Sequence, residues 1–348
     1  MWQYIFKRLL LLIPTLIGII TINFLVIQFV PGGPVEQMVQ QLTHASADGG
    51  AVLQAAGDGK TQISAEDMAA LKALYGFDKP PLTRYFDMLS RFARFDLGDS
   101  FFHHQSVVGL VREKLPVSMS LGLWTFFLTY LICIPLGVAK AVRQGTKFDA
   151  ISSVIILIGY SIPSFVLGVL LLVLFGGGSF LAWFPLSGLV SDNWAELSFW
   201  GKIGDYLWHI ALPITASVAG NLAVMTILTK NVFLEEIRRQ YVLTARSKGL
   251  PENKILWRHI FRNAMIPLIT GFPAAFIGAF FTGSLLIETL FSLDGLGLLS
   301  YQSVVKRDYP VVMGTLFVFT LLGLLAKLLS DLSYVLIDPR IHFDKDAQ

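Results

Sequence analysis

Six long apolar runs, separated by shorter polar stretches, set the pattern of this chain. They cover residues 9–30, 115–139, 151–175, 210–229, 264–287 and 310–337. Each meets the roughly 20-residue length that a helix needs to cross a hydrocarbon core. The first, about 22 residues at about 1.5 Å each, reaches about 33 Å, enough for a core of about 30 Å with some tilt. The pattern predicts an all-α integral membrane protein with six transmembrane helices.

The first run follows Lys7-Arg8, as a signal peptide would, but it is longer than an ordinary signal core. Pro31-Gly32-Gly33-Pro34 replaces the small-residue cleavage site, so an uncleaved anchor is expected. Segment 31–114 is polar in character. Its first half, through Asp48-Gly49-Gly50 and Gly57-Asp58-Gly59-Lys60, is rich in Gly and Ala and reads as loop. Ser64-Ala65-Glu66-Asp67 then opens a short helix to about Tyr75, stopped at Gly76, and an amphipathic piece follows over 82–95. No internal repeat of solenoid period is present.

Composition agrees with lipid as the solvent. Of 348 residues, 54% are hydrophobic and only 15% charged, where soluble chains carry about a quarter; the mean hydropathy is +0.63. The 27 Phe and 7 Trp exceed what one globular core absorbs. A net charge of +3 points to no polyanion, so no nucleic-acid partner is expected. The one cysteine, Cys133, excludes an intrachain disulfide, and the scattered histidines, His103-His104 included, lack metal-ligand spacing. No metal and no cofactor are expected.

The placement of basic residues carries more information than their sum. Lys7 and Arg8, then Lys140, Arg143 and Lys147, then Lys230 through Arg262, then Arg340 and Lys345 fall on one side. The opposite short loops hold Lys202, Lys306 and Arg307. Short basic loops stay in the cytoplasm, so both termini are expected there and segment 31–114 outside. The expected organisation is an N-terminal helix over 1–30, an external segment over 31–114, a five-helix core over 115–337 containing a cytoplasmic loop over 230–262, and a tail over 338–348.

Catalytic motifs fail on inspection. Gly57-Asp58-Gly59-Lys60-Thr61 lacks the first glycine of a phosphate loop, since position 54 is Gln54. Gly159-Tyr160-Ser161-Ile162-Pro163 lacks the second glycine of a nucleophile elbow. Runs one to five hold no ionisable residue well inside, where a proton-coupled carrier needs a relay. Lys327 and Asp331 in run six have the spacing of a structural i,i+4 pair with a snorkelling lysine. Asn23, Gln28 and Asn221 read as interhelical hydrogen-bond partners. Energy coupling must therefore come from another subunit, or the chain is a passive pore.

Loop 230–262 is the most informative segment. Residues 231–240 have helix-forming composition and 241–248 continue it. Gly249 stands where a C′ glycine would, and Pro251 can open the next helix. Tyr241, Ala245 and Lys248 share a face by spacing. The small Ala245 would admit a close backbone, with Arg246 and Lys248 as flanking charge. That shape suits insertion into a partner's groove, but a basic loop that merely fixes topology has the same spacing.

Thr244-Ala245-Arg246-Ser247-Lys248-Gly249, followed by His259-Ile260-Phe261-Arg262-Asn263-Ala264 and Pro267, closely resembles the EAA loop of ABC importer permeases of the peptide (dipeptide/oligopeptide) family. Further motifs extend the resemblance over nearly the whole chain: Tyr75-Gly76-Phe77-Asp78-Lys79-Pro80, Asp96-Leu97-Gly98-Asp99-Ser100, Ser161-Ile162-Pro163-Ser164-Phe165, Trp183-Phe184-Pro185, Arg307-Asp308-Tyr309-Pro310 and Asp338-Pro339-Arg340-Ile341. Asp294 before Gly295-Leu296-Gly297 replaces the family's usual Pro. With Leu228-Thr229-Lys230-Asn231 and Arg238-Arg239-Gln240-Tyr241, it looks like the Yej-type subfamily of oligopeptide (microcin C) importers, B subunit.

The resemblance implies a type I importer in the bacterial inner membrane. It implies four kinds of partner around the lipid-embedded chain: a second homologous permease, ABC ATPase subunits, a periplasmic substrate-binding protein and a peptide substrate. It makes Tyr241, Thr244, Ala245, Arg246, Lys248, Gly249 and Leu250 the ATPase-docking residues, with His259, Arg262 and Asn263 supporting the loop. The chain itself would catalyse no bond change. The rival expectation is a stand-alone channel or facilitator whose loop only sets topology.

Overall fold

The computed structural model describes residues 2–29, 78–103, 105–176, 180–281 and 285–337. Regular structure among the described residues is helical. The helices are α1 (Trp2–Phe29), α2 (Pro81–Phe92), α3 (Val107–Val142), α4 (Lys147–Ser161), α5 (Ser164–Phe175), α6 (Phe199–Ile237), α7 (Gln240–Ser247), α8 (Glu252–Lys254), α9 (Phe261–Phe281), α10 (Leu285–Leu290), α11 (Leu296–Lys306) and α12 (Tyr309–Ile337). A π-helical turn, Ile255–Ile260, joins α8 to α9.

Among the described residues, five helical stretches are long and apolar enough to cross a membrane: Phe6–Phe29, Val107–Val142, Phe199–Ile237, Glu252–Ala279 and Tyr309–Ser333. The sixth expected span, 151–175, is not one straight helix. Lys147–Ser161 and Ser164–Phe175 meet at 94° and make a sixth span only when taken as one bent pair. The break sits at Ile162, which is extended (φ −92°, ψ 119°), as steric conflict with the ring of the following Pro163 favours. The fifth span also differs from 264–287. It starts earlier, at Glu252, and 282–284, near its expected end, lie outside the described residues. The expectations for 31–77, the short helix at 64–75 among them, and for tail 338–348 lie outside the described residues, and so does His104.

The chain divides into two compact units. One comprises Phe6–Glu113 and Leu299–Leu321. In it α2, expected over 82–95, is braced on α1. Arg84 Nη2 donates to Gln28 Oε1 at 2.9 Å, and Thr21 Oγ1 and the Tyr85 hydroxyl share a 2.6 Å bond. Two motifs singled out in the sequence lock together here. Asp96 accepts from the Arg91 guanidinium and from the Gly98 N–H, so the chain turns through Gly98 at φ +84°. Ser100 Oγ, brought round by that turn, donates to Asp308 Oδ2 at 2.5 Å, and the Phe101 N–H donates to Oδ1.

The other unit comprises Met1–Ile5, Lys114–Leu298 and Leu322–Gln348. Here α4 and α5 pack on α6, and α5 also meets α10. One core cluster joins Ile210, Leu212, Ile214, Ala216 and Val218 of α6 to Leu121, Ile287, Phe291 and Leu293. Helices α3 and α9 approach so closely at Gly122 that a Cβ there would lie 1.6 Å from the Ala279 carbonyl oxygen. Small residues permit such contact where no water drives association. Of the polar residues expected to bond between helices, Gln28 does so. Asn23 and Asn221 instead donate to carbonyls one turn back, those of Ile19 and Ser217.

Candidate functional site

The charged segment after α6 folds into a helix, a sharp turn and the start of the next span. It does not continue α6 as the composition suggested. That helix ends at Ile237, Arg238 caps it, and Arg239 is extended (φ −68°, ψ 147°) before α7 begins at Gln240. At the far end of α7 the Gly249 N–H bonds the Arg246 carbonyl at 2.9 Å and the Leu250 N–H bonds the Ala245 carbonyl at 3.3 Å. With Gly249 at φ +73° this is the paired-bond termination that a glycine C′ makes possible. Nothing lies within 4 Å of where a Cβ would stand, so the left-handed backbone, not crowding, calls for glycine. The turn is braced by Arg246, whose Nε and Nη2 reach both carboxylate oxygens of Glu252 at 2.6 and 3.0 Å.

The two faces of α7 differ. Val242 and Ala245 are buried with Val138 and Ala141 of α3, Phe233 of α6, and Ile255, Ile260 and Ala264. Leu243, Thr244, Arg246, Ser247, Lys248 and Gly249 are exposed. The expected docking residues therefore split. Thr244, Arg246, Lys248 and Gly249 stand on the free surface, with Leu250 half-buried beside them. Ala245 is small because it faces its own bundle, so its side chain is not on the surface that spacing gave it. Tyr241 is half-buried, and its hydroxyl donates to Glu236 Oε2 at 2.6 Å. Burial, then the Glu236 carboxylate, pushes this phenol up to about 12, which keeps it a neutral donor. Of the expected supports, Asn263 meets Tyr241, His259 is half-buried and Arg262 is exposed. An open cleft of about 620 Å³ adjoins the turn, lined by Pro251, Asn253, Lys254, Trp257 and Arg258.

Residues 133–343 match the family described as binding-protein-dependent transport system inner membrane component. The chain belongs to that family. It is 55% identical to the peptidoglycan transport system permease protein YejB of Agrobacterium fabrum, over 99% of both chains. It is 51% identical to the inner membrane ABC transporter permease protein YejB of Escherichia coli O157:H7, over 99% of this chain and 100% of the relative. The oligopeptide permease AppB of Bacillus subtilis is 31% identical over 99% of this chain and 100% of its own. The fold is similar to a solved chain of the methionine ABC transporter MetNI in inward-facing conformations. The TM-score is 0.51 at 18% identity, covering 66% of this chain and 97% of that one.

The protein is therefore a multi-pass inner-membrane permease subunit of an ABC importer, a class that works with ATPase and substrate-binding partners. That sets aside the stand-alone facilitator. Two clusters in this permease escaped sequence reasoning. Lys140, Asp149 and Lys230, counted above only as loop charges or not at all, meet in one buried group: Lys230 Nζ reaches the Asp149 carboxylate oxygens at 2.7 and 2.8 Å, and Lys140 Nζ reaches Oδ1 at 3.1 Å. The available signal was three ionisable residues at three span ends. The second cluster closes the loop before α11. Glu288, fully buried, accepts from Ser118 Oγ at 3.0 Å and from the Leu298 N–H at 2.8 Å. Ser118 Oγ in turn accepts the Leu296 N–H. Asp294, the departure from the family pattern, pairs with Lys114 at 2.5 Å. A Cβ at Gly295 would come within 2.7 Å of the Glu288 carboxylate, which accounts for the glycine.

Proposed function

We propose that this permease admits oligopeptides, and that the exposed face of α7 with the Gly249 turn docks on a separate ATPase subunit, which performs the ATP hydrolysis. The observation that carries the docking reading is the turn itself: a glycine-closed, salt-bridged corner whose outer face presents Thr244, Arg246, Ser247 and Lys248 while its inner face is anchored in the bundle. A topology signal needs only charge; it does not need a rigid corner. Peptide cargo is supported by the names of the relatives, and the one named for peptidoglycan transport adds a peptide linked to an amino sugar as a second probe. In this reading a second, related permease completes the path and a periplasmic binding protein delivers the substrate. Both termini and loop 230–262 lie in the cytoplasm, with 31–114 outside and 115–337 as the transporting core. Closure of the ATPase pair moves α7, and the spans alternate between inward- and outward-open.

The test is Gly249→Val. A β-branched residue is strained by about 1–2 kcal/mol in a left-handed backbone, a factor of about 5–30 in the ratio of the native turn to its alternatives. Co-purification of the ATPase and uptake of labelled tetra-alanine should fall together, by no more than about that factor. Unchanged co-purification sinks the docking role.

A further inference from the structure

The buried group at Lys140, Asp149 and Lys230 joins three helices at the end of the bundle that carries α7. Lys140, near the end of α3, is 1% exposed. Its ammonium donates to the Asp149 carbonyl at 2.8 Å, Ser152 Oγ at 2.8 Å and Ser153 Oγ at 2.7 Å, all on α4, besides the carboxylate. Asp149, in the first turn of α4, also accepts from the Gly145 N–H, which ties in the short loop from α3. Lys230 comes from α6 and spans both carboxylate oxygens.

Stability alone does not account for this arrangement. Burying the Lys140 ammonium and the Asp149 carboxylate costs desolvation, and apolar side chains of similar volume hold buried sites at least as well as ion pairs do. Directional bonds supply something that apolar contacts lack: they fix register between helices, and a helix sliding by a fraction of a turn breaks all of them at once. The same stretches hold the docking helix. Val138 and Ala141 flank Lys140 on α3, Phe233 lies one turn beyond Lys230 on α6, and all three belong to the buried cluster that holds Val242 and Ala245 of α7, which itself packs on the Ile255–Ile260 turn. Between them Gly137 meets Thr229 so closely that a Cβ at 137 would stand 2.5 Å from the Thr229 Cβ.

We propose that the Lys140–Asp149–Lys230 group is a positioning element of transport: it makes the ends of α3, α4 and α6 move as one body with α7, so that displacement of the docking helix reaches the bent α4–α5 segment. This rests on the docking reading. None of the three residues touches substrate. What the group sets is the yield of uptake per ATP hydrolysed, and two-state coupling of this kind is typically worth about 5–150-fold.

The experiment uses the complete transporter, with ATPase and binding protein, in lipid vesicles. Asp149→Asn, Lys230→Met and the double variant are compared with the unaltered chain for ATPase co-purification, ATP hydrolysis and uptake of labelled tetra-alanine. Each single variant should keep co-purification and hydrolysis within about twofold while uptake per ATP falls about fivefold or more. The double variant should fall no further than Asp149→Asn alone, because both break the same bond. Unchanged uptake per ATP overturns the proposal. So does a parallel loss of insertion, assembly and uptake in both single variants, which would make the group a folding element. Failure of the docking reading shows elsewhere, as intact ATPase co-purification in Gly249→Val.

Discussion

Gly122 and Gly323 both stand in apolar runs, and the structure separates them completely. A Cβ at 122 collides with the Ala279 carbonyl, while at 323 nothing lies within 4 Å. Gly122→Ala must push α3 from α9 and should destabilise the detergent-solubilised protein by about 1–3 kcal/mol or more, as overpacking does. Gly323→Ala should be neutral or stabilising by up to about 1 kcal/mol, the helix propensity gained. Thermal unfolding of the two variants side by side checks this, and equal effects would mean the close approach at Gly122 is absent. The sequence could not tell these glycines apart, because what constrains Gly122 is a backbone atom far along the chain. Gly249 was legible for the opposite reason: its constraint is local, a helix end followed by Pro251. Ala245 sits between these cases. Its smallness was visible, but whether a small residue admits a partner or fits its own core depends on Val138, Phe233 and Ile260, which no local pattern reveals.

Helices were legible where length alone decides and misread where a neighbour does. The third run was long enough to span, yet Pro163 and the extended Ile162 turn it through 94°, and the break at Arg238–Arg239 separates α7 from α6. Long-range polar contacts were hidden from the sequence as well, as in the loop from α10 to α11. Glu288 and Ser118 together satisfy the N–H groups of Leu296 and Leu298, donors that a helix start leaves open. Burial holds the Glu288 carboxyl above its ordinary 4.5, with the backbone and Ser118 bonds opposing. A folded-state value above the unfolded one means that the folded form binds the proton more tightly. This group therefore adds stability as pH falls from neutral toward 4.5, and that contribution is lost as pH rises through the folded-state value. Glu288→Gln should flatten this part of the stability–pH curve while keeping the side chain's size. A parallel curve for variant and parent would show that the titrating group lies elsewhere.

At the scale of the whole molecule, composition and the six runs were enough to give the solvent, and the loop after α6 was enough to give the family. The buried charge group could not be read, because each of its members also looks like an ordinary basic or acidic flank of a span. Orientation follows from an argument of a different kind, the excess of Lys and Arg on one set of short loops. Thiol labelling tests it directly. Cys133, the one native thiol, is buried, so a thiol introduced at an exposed site reports on its own side. Lys248→Cys, on the α7 turn, should resist a membrane-impermeant maleimide in intact spheroplasts and react once they are permeabilised. Asn193→Cys, in the exposed loop before α6, should react without permeabilisation. An ATPase can reach α7 only from the cytoplasm, so labelling of Lys248→Cys in intact spheroplasts would remove the docking surface and, with it, the route by which ATP hydrolysis could move these spans.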